Sequence, residues 1–408
     1  MAAKQRTIRI KNAMIIDGTG KRPYLGSVVV KQGNIHRIDT NGIQEEPVDE
    51  TVDASGMYLL PGMIDCHVHV MINRYNFAEH LNTPFSLNYY KSISNMEALI
   101  RAGITSARDA GGADLGVKRA QELGLVQGPK LKVSITPLSI TGGHMDGWRL
   151  SGMETFILNP PYPGNPKGIC DGIESVRRKV REVLRAGADV IKVCATGGVM
   201  SPTDHPDFEQ FSIEELQIMV EEANMRKGVR VMAHAQGLDG IKNAIKAGVH
   251  SIEHGVSLDD EAIALMLENQ VYLVPTLLAV DTVLKGTYPE SIKEQARAMN
   301  DKHLRSVEKA YRAGVSIAMG TDSGIVEHGR NLEELVLMCN VGMQPLEAIK
   351  AATLTAAQCL GIQKTTGTVE VGKAADLILI DKDPLKNIGY LSDKNNIKTI
   401  WQKGIEIT

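Results

Sequence analysis

The stretch YLLPGMIDCHVHV, Tyr58 to Val70, decides how this chain is read. An apolar run passes a Pro61-Gly62 breaker and ends in His67-Val68-His69. A run of that length, bounded by Pro-Gly, reads as a buried strand. Strand side chains alternate, so His67 and His69 share one face while Cys66, Val68 and Val70 share the other. Two imidazoles on a buried face are costly unless something binds them, and a metal ion suits them best. In isolation an HxH pair is more often structural than ligating, so its weight depends on what lies downstream.

Working outward, residues 7 to 60 carry short alternating runs separated by Gly and Asp/Asn turns: TIRIKNAMIID, GSVVVKQGNIHRID and ETVDASGMYLL. The end of the chain has the same texture in GTVEVGKAADLILIDKDP and IKTIWQKGIEIT. Between them, strand-like runs alternate with amphipathic helices. The strand candidates are Met63–Val70, Thr105–Asp109, Leu131–Pro137, Val190–Ala195, Val229–Ala235, Ser251–His254, Val271–Thr276 and Ser316–Thr321. Helical patterns such as IESVRRKVREVLRAG, SIEELQIMVEEANMRKG, LDGIKNAIKAG and DDEAIALMLENQ end on Gly, Asn or Gln before the next strand. Eight such alternations predict an α/β fold, a (β/α)₈ TIM barrel over 61–363. Residues 1–60 and 364–408 are expected to pair into one small β-sandwich domain built from both chain termini.

Composition narrows the function. At 408 residues the chain can bury a barrel-sized core. A net charge of -3 with mixed signs leaves no basic patch, so nucleic acid is not an expected partner. The start, MAAKQRTIRIKN, lacks the apolar segment of a signal peptide, and no run reaches the ~18 apolar residues of a membrane span. The five scattered cysteines (Cys66, Cys170, Cys194, Cys339, Cys359) contain no CxxC, so a cytoplasmic location is expected, without a disulfide framework.

A barrel of this kind keeps its chemistry at the C-terminal ends of its strands. Polar residues do break the apolar runs there: His67 and His69 on the first, Lys192 on the fourth, His234 on the fifth, His254 on the sixth and Asp322 on the eighth. Singly, a histidine can be a hydrogen-bonded core residue and Asp322 a simple cap. Lys192 is harder to explain, because lysine is almost never fully buried unless paired or neutralised. Imidazoles with a carboxylate suit zinc or a similar divalent ion. Two such ions need a bridging anion, and a neutral lysine amine that adds carbon dioxide becomes one. The expectation is two divalent metal ions, zinc, with a carbamate on Lys192.

This order of HVH, strand-4 lysine, strand-5 and strand-6 histidines and strand-8 aspartate resembles the binuclear-metal branch of the amidohydrolase superfamily. RDAGGA (108–113), TGGH (141–144), CATGGVMSPTD (194–204), AHAQG (233–237), IEHG (252–255) and GTDSG (320–324) resemble its prolidase-like and arginine-carboxypeptidase-like, imidazolonepropionase-related members. The resemblance implies that His67, His69 and Asp322 hold one ion and His234 and His254 the other, with Lys192 bridging. It implies hydrolysis of an amide by a metal-bridged hydroxide, with Asp322 moving the proton and His144 facing a small-molecule substrate. It also implies a homo-oligomer. A dipeptide or N-acyl amino acid with a free carboxylate fits best. Prolidase-like relatives carry tyrosine after the strand-5 AHA, where Gln236 stands here, which argues against proline specificity.

Substrate contacts are also expected from the loop Asp146–Cys170, read as a lid and carrying Arg149 and Lys167. Further contacts are expected from Ser201–Phe208 and from Ile325–Arg330 with His328. Xenobiotic amides, carbamates and ureas remain open as substrates. So does a mononuclear cyclic-amide hydrolase or deaminase, which would not need Lys192, and so does a catalytically inert scaffold.

Overall fold

The protein is described by a computed structural model covering residues 6–407, apart from 41, 43–45, 74–76, 157, 159 and 199–203. Alternating and β-branched runs form the strands. The first five are β1 (Ile8–Ile15), β2 (Tyr24–Lys31), β3 (Asn34–Asp39), β4 (Glu50–Asp53) and β5 (Tyr58–Pro61). The barrel strands are β6 (Met63–Val68), β7 (Ile104–Asp109), β8 (Lys130–Val133), β9 (Val190–Cys194), β10 (Arg230–Ala235), β11 (Ser251–His254) and β12 (Tyr272–Val274). The chain ends with β13 (Leu377–Ile380), β14 (Ile397–Gln402) and β15 (Ile405–Glu406).

The terminal strands form a single hydrogen-bonded path, β15-β14-β13-β5-β1-β2-β3, with β4 beside β1. Their apolar sides meet in one cluster that includes Ile10, Ile15, Val28, Leu59, Leu377 and Trp401. The C-terminal β13 lies antiparallel to β5, pairing Leu379 with Leu59, so the two ends of the chain share one core. We propose on this ground that 1–60 and 364–408 form one domain and 61–363 another.

The barrel strands pair in parallel in two arcs, β6-β7-β8 and β9-β10-β11-β12. Isolated bridges close the ring: Leu138 with Val193, Leu273 with Ile317 and Val68 with Ser323. The eighth stave, expected over Ser316–Thr321, is therefore present but forms no regular ladder. Its backbone bonds to both neighbours, through Ala318 N to Leu273 O at 2.9 Å and Cys66 N to Met319 O at 2.9 Å. Met319 N turns instead to Ala351 O, which breaks the regular pattern. The third strand stops at Val133, short of the expected Pro137, because Ile135 takes a left-handed backbone at φ +68.

The four expected helices form as Ile173–Arg185, Ile213–Asn224, Leu238–Ala247 and Asp260–Glu268. Ser212 and Glu215 make a capping box at the start of the second, and left-handed Gly248 ends the third. After β12 the chain makes two helices, Leu277–Lys285 and Glu290–Ala313. Among the described residues no helix is long and apolar enough to cross a membrane.

Candidate metal centre and active-site cavity

One cavity is lined by His67, His69, Lys192, His234, His254 and Asp322 together. Five staves from different parts of the chain deliver these side chains to one end of the barrel. His67 and His69 reach it from the same face of the first strand, as alternation requires. His254, Thr276 and Asp322 turn their strand ends with left-handed backbones at φ +73, +50 and +58.

The imidazoles touch one another. Ring centroids are 5.5 Å apart for His67 and His69, 5.1 Å for His67 and His254, and 4.6 Å for His234 and His254. Asp322 Oδ1 lies 3.3 Å from His69 Nε2 and 3.6 Å from His67 Nε2. These three residues form a group whose donor atoms could hold one ion.

The other ring nitrogens show what the set is suited to. His67 Nδ1 donates to Glu253 Oε2 at 2.8 Å, His69 Nδ1 donates to Gly111 O at 2.8 Å, and His234 Nε2 donates to Gly197 O at 3.0 Å. His254 Nδ1 is 2.7 Å from Thr276 Oγ1. A nitrogen that donates to an oxygen carries the proton, so the opposite nitrogen keeps its lone pair. Metal-ligating histidines are oriented in this way. The donor set therefore fits a divalent ion.

Burial and charge reinforce this. Burial, then the nearby Lys192, pushes His67 well below the usual histidine range. Burial lowers His234 and His254 as well, aided by neighbouring imidazoles. Burial works against the charged form of His69 too, but the Asp322 carboxylate facing Nε2 competes for that lone pair by drawing a second proton onto the ring, and raises it overall. Burial would raise Asp322, yet the bond from His69 and the charges of His67 and Lys192 hold it well below the carboxylate range. Lys192 is only 4% exposed, and burial depresses its amine despite the carboxylates of Glu253 and Asp322 nearby.

Buried carboxylates brace the ends of the strands. Asp65 accepts Thr321 Oγ1 at 2.6 Å, Asn331 Nδ2 at 2.7 Å and His67 N at 3.0 Å, and burial raises it to about 6. Asp109 accepts Val70 N at 2.8 Å and Gly111 N at 3.0 Å, and burial raises it likewise to about 6. These bonds tie the first, second and eighth strand ends into one rim.

His144 stacks on His234 at 4.3 Å with an 18° interplanar angle, and its Nδ1 lies 3.5 Å from Asp204 Oδ2. Gln236 also lines the cavity. His144 Nδ1 and Gln236 Oε1 are buried polar atoms without a hydrogen-bond partner among the described residues. Of the two loop cations, Arg149 lines the cavity, whereas Lys167 pairs with Glu154 at the surface. Ile325 lines the cavity, but His328 faces away, with Nε2 2.8 Å from Ile72 O. In the Ser201–Phe208 segment, residues 201–203 lie outside the described residues, and Asp204 sits against His144.

Two residues here carried no expected role, Arg108 and Glu253, a buried ion pair at 2.7 Å directly beneath His67. The signal that flagged Lys192, a charge inside an apolar strand, marks both of them in TSARDA and SIEHG. The helical pair after β12 also adds Val280, Val283, Ala296 and Met299, an apolar wall that strand-end reasoning did not anticipate.

The comparisons agree with this geometry. The amidohydrolase family model matches residues 58–406. Ochratoxinase of Aspergillus niger is 38% identical over 366 residues, covering 85% of this chain and 75% of its own length. A crystal structure of a Xaa-Pro dipeptidase with methionine in its active site has a TM-score of 0.88 at 31% identity, covering 98% of this chain and 99% of that one. A prolidase complexed with N-methylphosphonate-L-proline has a TM-score of 0.90 at 32% identity, with 98% and 99% coverage. With a family match along most of its length and an imidazole-rich cavity at the mouth of its barrel, the chain belongs to the amidohydrolase family.

Proposed function

We propose that this hydrolase of carbon–nitrogen bonds cleaves the amide of a dipeptide or N-acyl amino acid bearing a free carboxylate. In this reading His67, His69 and Asp322 would hold one zinc ion and His234 and His254 a second, and Lys192, once carboxylated, would supply an anionic oxygen ligand to the pair. The observation that carries the reading is Lys192, buried in the same cavity as four imidazoles and Asp322. Burial favours its neutral amine, which can add to carbon dioxide and release one proton to become a carbamate.

Bound divalent ions of this kind lower the pKa of water and polarise a carbonyl. Asp322, held ionised, takes a proton from the attacking water and returns it to the leaving nitrogen. His144 and Gln236 each leave a buried polar atom unpartnered among the described residues: His144 Nδ1, as an N–H, can donate to the developing oxyanion or the free carboxylate, and Gln236 Oε1 can accept from a substrate N–H. Arg149 supplies a guanidinium that lines the cavity and suits that carboxylate. Val280, Val283, Ala296 and Met299 favour an apolar group on the other side of the scissile bond. The relatives' names point the same way, toward a dipeptidase, a prolidase and ochratoxinase.

The test is a library of dipeptides and N-acyl amino acids, assayed with zinc and bicarbonate, alongside metal analysis and intact mass. Hydrolysis with two ions per chain and a carbon dioxide adduct is expected. One ion per chain, with activity only on cyclic amides or on xenobiotic carbamates and ureas, would overturn the reading. The same reading takes the chain to be a cytoplasmic homo-oligomer, and its five free cysteines suit a reducing compartment.

A further inference from the structure

We infer that Glu253, held in place by Arg108, is the positioning residue that fixes the tautomer and aim of His67 and makes its ion the more tightly bound of the two. The inference rests on the metal-dependent reading above. Arg108 is 2% exposed, Glu253 and Ser251 are fully buried, and His67 is 1% exposed. One carboxylate oxygen, Glu253 Oε1, accepts from Arg108 at 2.7 Å and from Ser251 Oγ at 2.5 Å. The other, Oε2, accepts from His67 Nδ1. Arg108 also donates through Nε to Cys66 O at 2.6 Å, the residue beside His67.

These contacts determine the chemistry of the imidazole. A guanidinium stays protonated in proteins, so its buried partner is a carboxylate, and a carboxylate can only accept. The proton on His67 therefore sits on Nδ1, and Nε2 offers its lone pair on the side where Asp322 lies. Because Oε1 already holds two donors, the carboxylate cannot swing away from the ring. Among the described residues only His67 of the four histidines has a carboxylate hydrogen-bonded to the ring nitrogen that points away from the cavity. His69 and His234 meet backbone carbonyls, and His254 meets a hydroxyl. An anionic partner makes an imidazole the stronger donor. The two metal positions are unequal for that reason.

The experiment is zinc titration of the metal-stripped full-length chain by competition with a chromophoric chelator, with melting temperature as the second readout. Wild type should bind in two resolved steps. Glu253→Gln should weaken the tighter step by about 10- to 100-fold. It should also lower the melting temperature, because Arg108 is left unpaired in the core. The pair Arg108→Met with Glu253→Gln should recover most of the melting temperature but none of the affinity, which separates positioning from stability. If that double variant does not fold, Glu253→Asp carries the test, since it keeps the charge but retracts the carboxylate by one methylene. Wild-type affinity at the tighter step in either folded variant would overturn the inference and leave the proposed function standing. A wild-type chain that takes up no zinc would overturn both.

Discussion

Asp322 combines a left-handed backbone at φ +58 with a carboxylate held ionised by His69 and its neighbours. Aspartate and asparagine both tolerate that conformation, so Asp322→Asn should keep the fold and remove the proposed base. Turnover should fall by about 10²–10⁴ with an unchanged circular dichroism spectrum, and near-normal kcat would remove Asp322 from the mechanism. His250, at the opposite end of the barrel, makes a separate prediction about stability. Burial and then the Arg230 guanidinium lower it to about 3. The folded value lies below the unfolded 6.5, so its contribution is complete above that pH and is lost as pH falls toward 3. His250→Asn should therefore flatten the acid limb of the stability curve, by about 2 kcal/mol at pH 5 in urea melts. Residues of this kind were legible in the sequence in unequal measure. Histidines stand out in apolar runs, whereas Arg108 and Glu253 make sense only once seen to pair.

The strands were legible because β-branched runs such as Val190-Ile191-Lys192-Val193 leave little alternative. Where they end was not, since Ile135, His254, Thr276 and Asp322 leave the extended region under tertiary constraint. The loop after β9 offers a test at Gly198, where an added Cβ would lie 2.4 Å from His144 Cε1. Gly198→Ala should push the His144 ring off His234 and cut kcat/KM about tenfold while leaving the melting temperature nearly unchanged; equal losses in both would show a general loosening instead. The helical pair after β12 makes a second test, because Ala296 and Met299 lie on the cavity wall. Ala296→Phe should fill that end and reduce kcat/KM for bulky apolar acyl groups at least tenfold more than for N-acetyl substrates. An unchanged ratio between the two would place the apolar group elsewhere.

Over the whole molecule, the two chain ends depend on each other. β13 lies between β5 and β14, and Lys130 Nζ reaches Asp376 Oδ2 at 2.5 Å to tie the terminal sheet to the barrel. Removing residues 364–408 would expose the edge of β5 and open the cluster around Leu59, so the shortened chain should aggregate on expression. A soluble, cooperatively melting truncation would show that the barrel stands alone. Bound ions should also stabilise the whole chain, by about 4 kcal/mol at a thousandfold excess over Kd. Chelation should lower the melting temperature accordingly, and zinc should restore it.

The spacing of apolar and polar residues along the chain was enough to indicate the barrel, the shared face of His67 and His69, and the anomaly of Lys192, because strand alternation is a local rule. The irregular eighth stave, the left-handed strand ends, the apolar helical wall and the Arg108–Glu253 pair beneath His67 were not visible there. Each depends on groups far apart in the chain meeting in space, and no local pattern relates residues 108 and 253 until the barrel closes and brings their opposite charges to 2.7 Å.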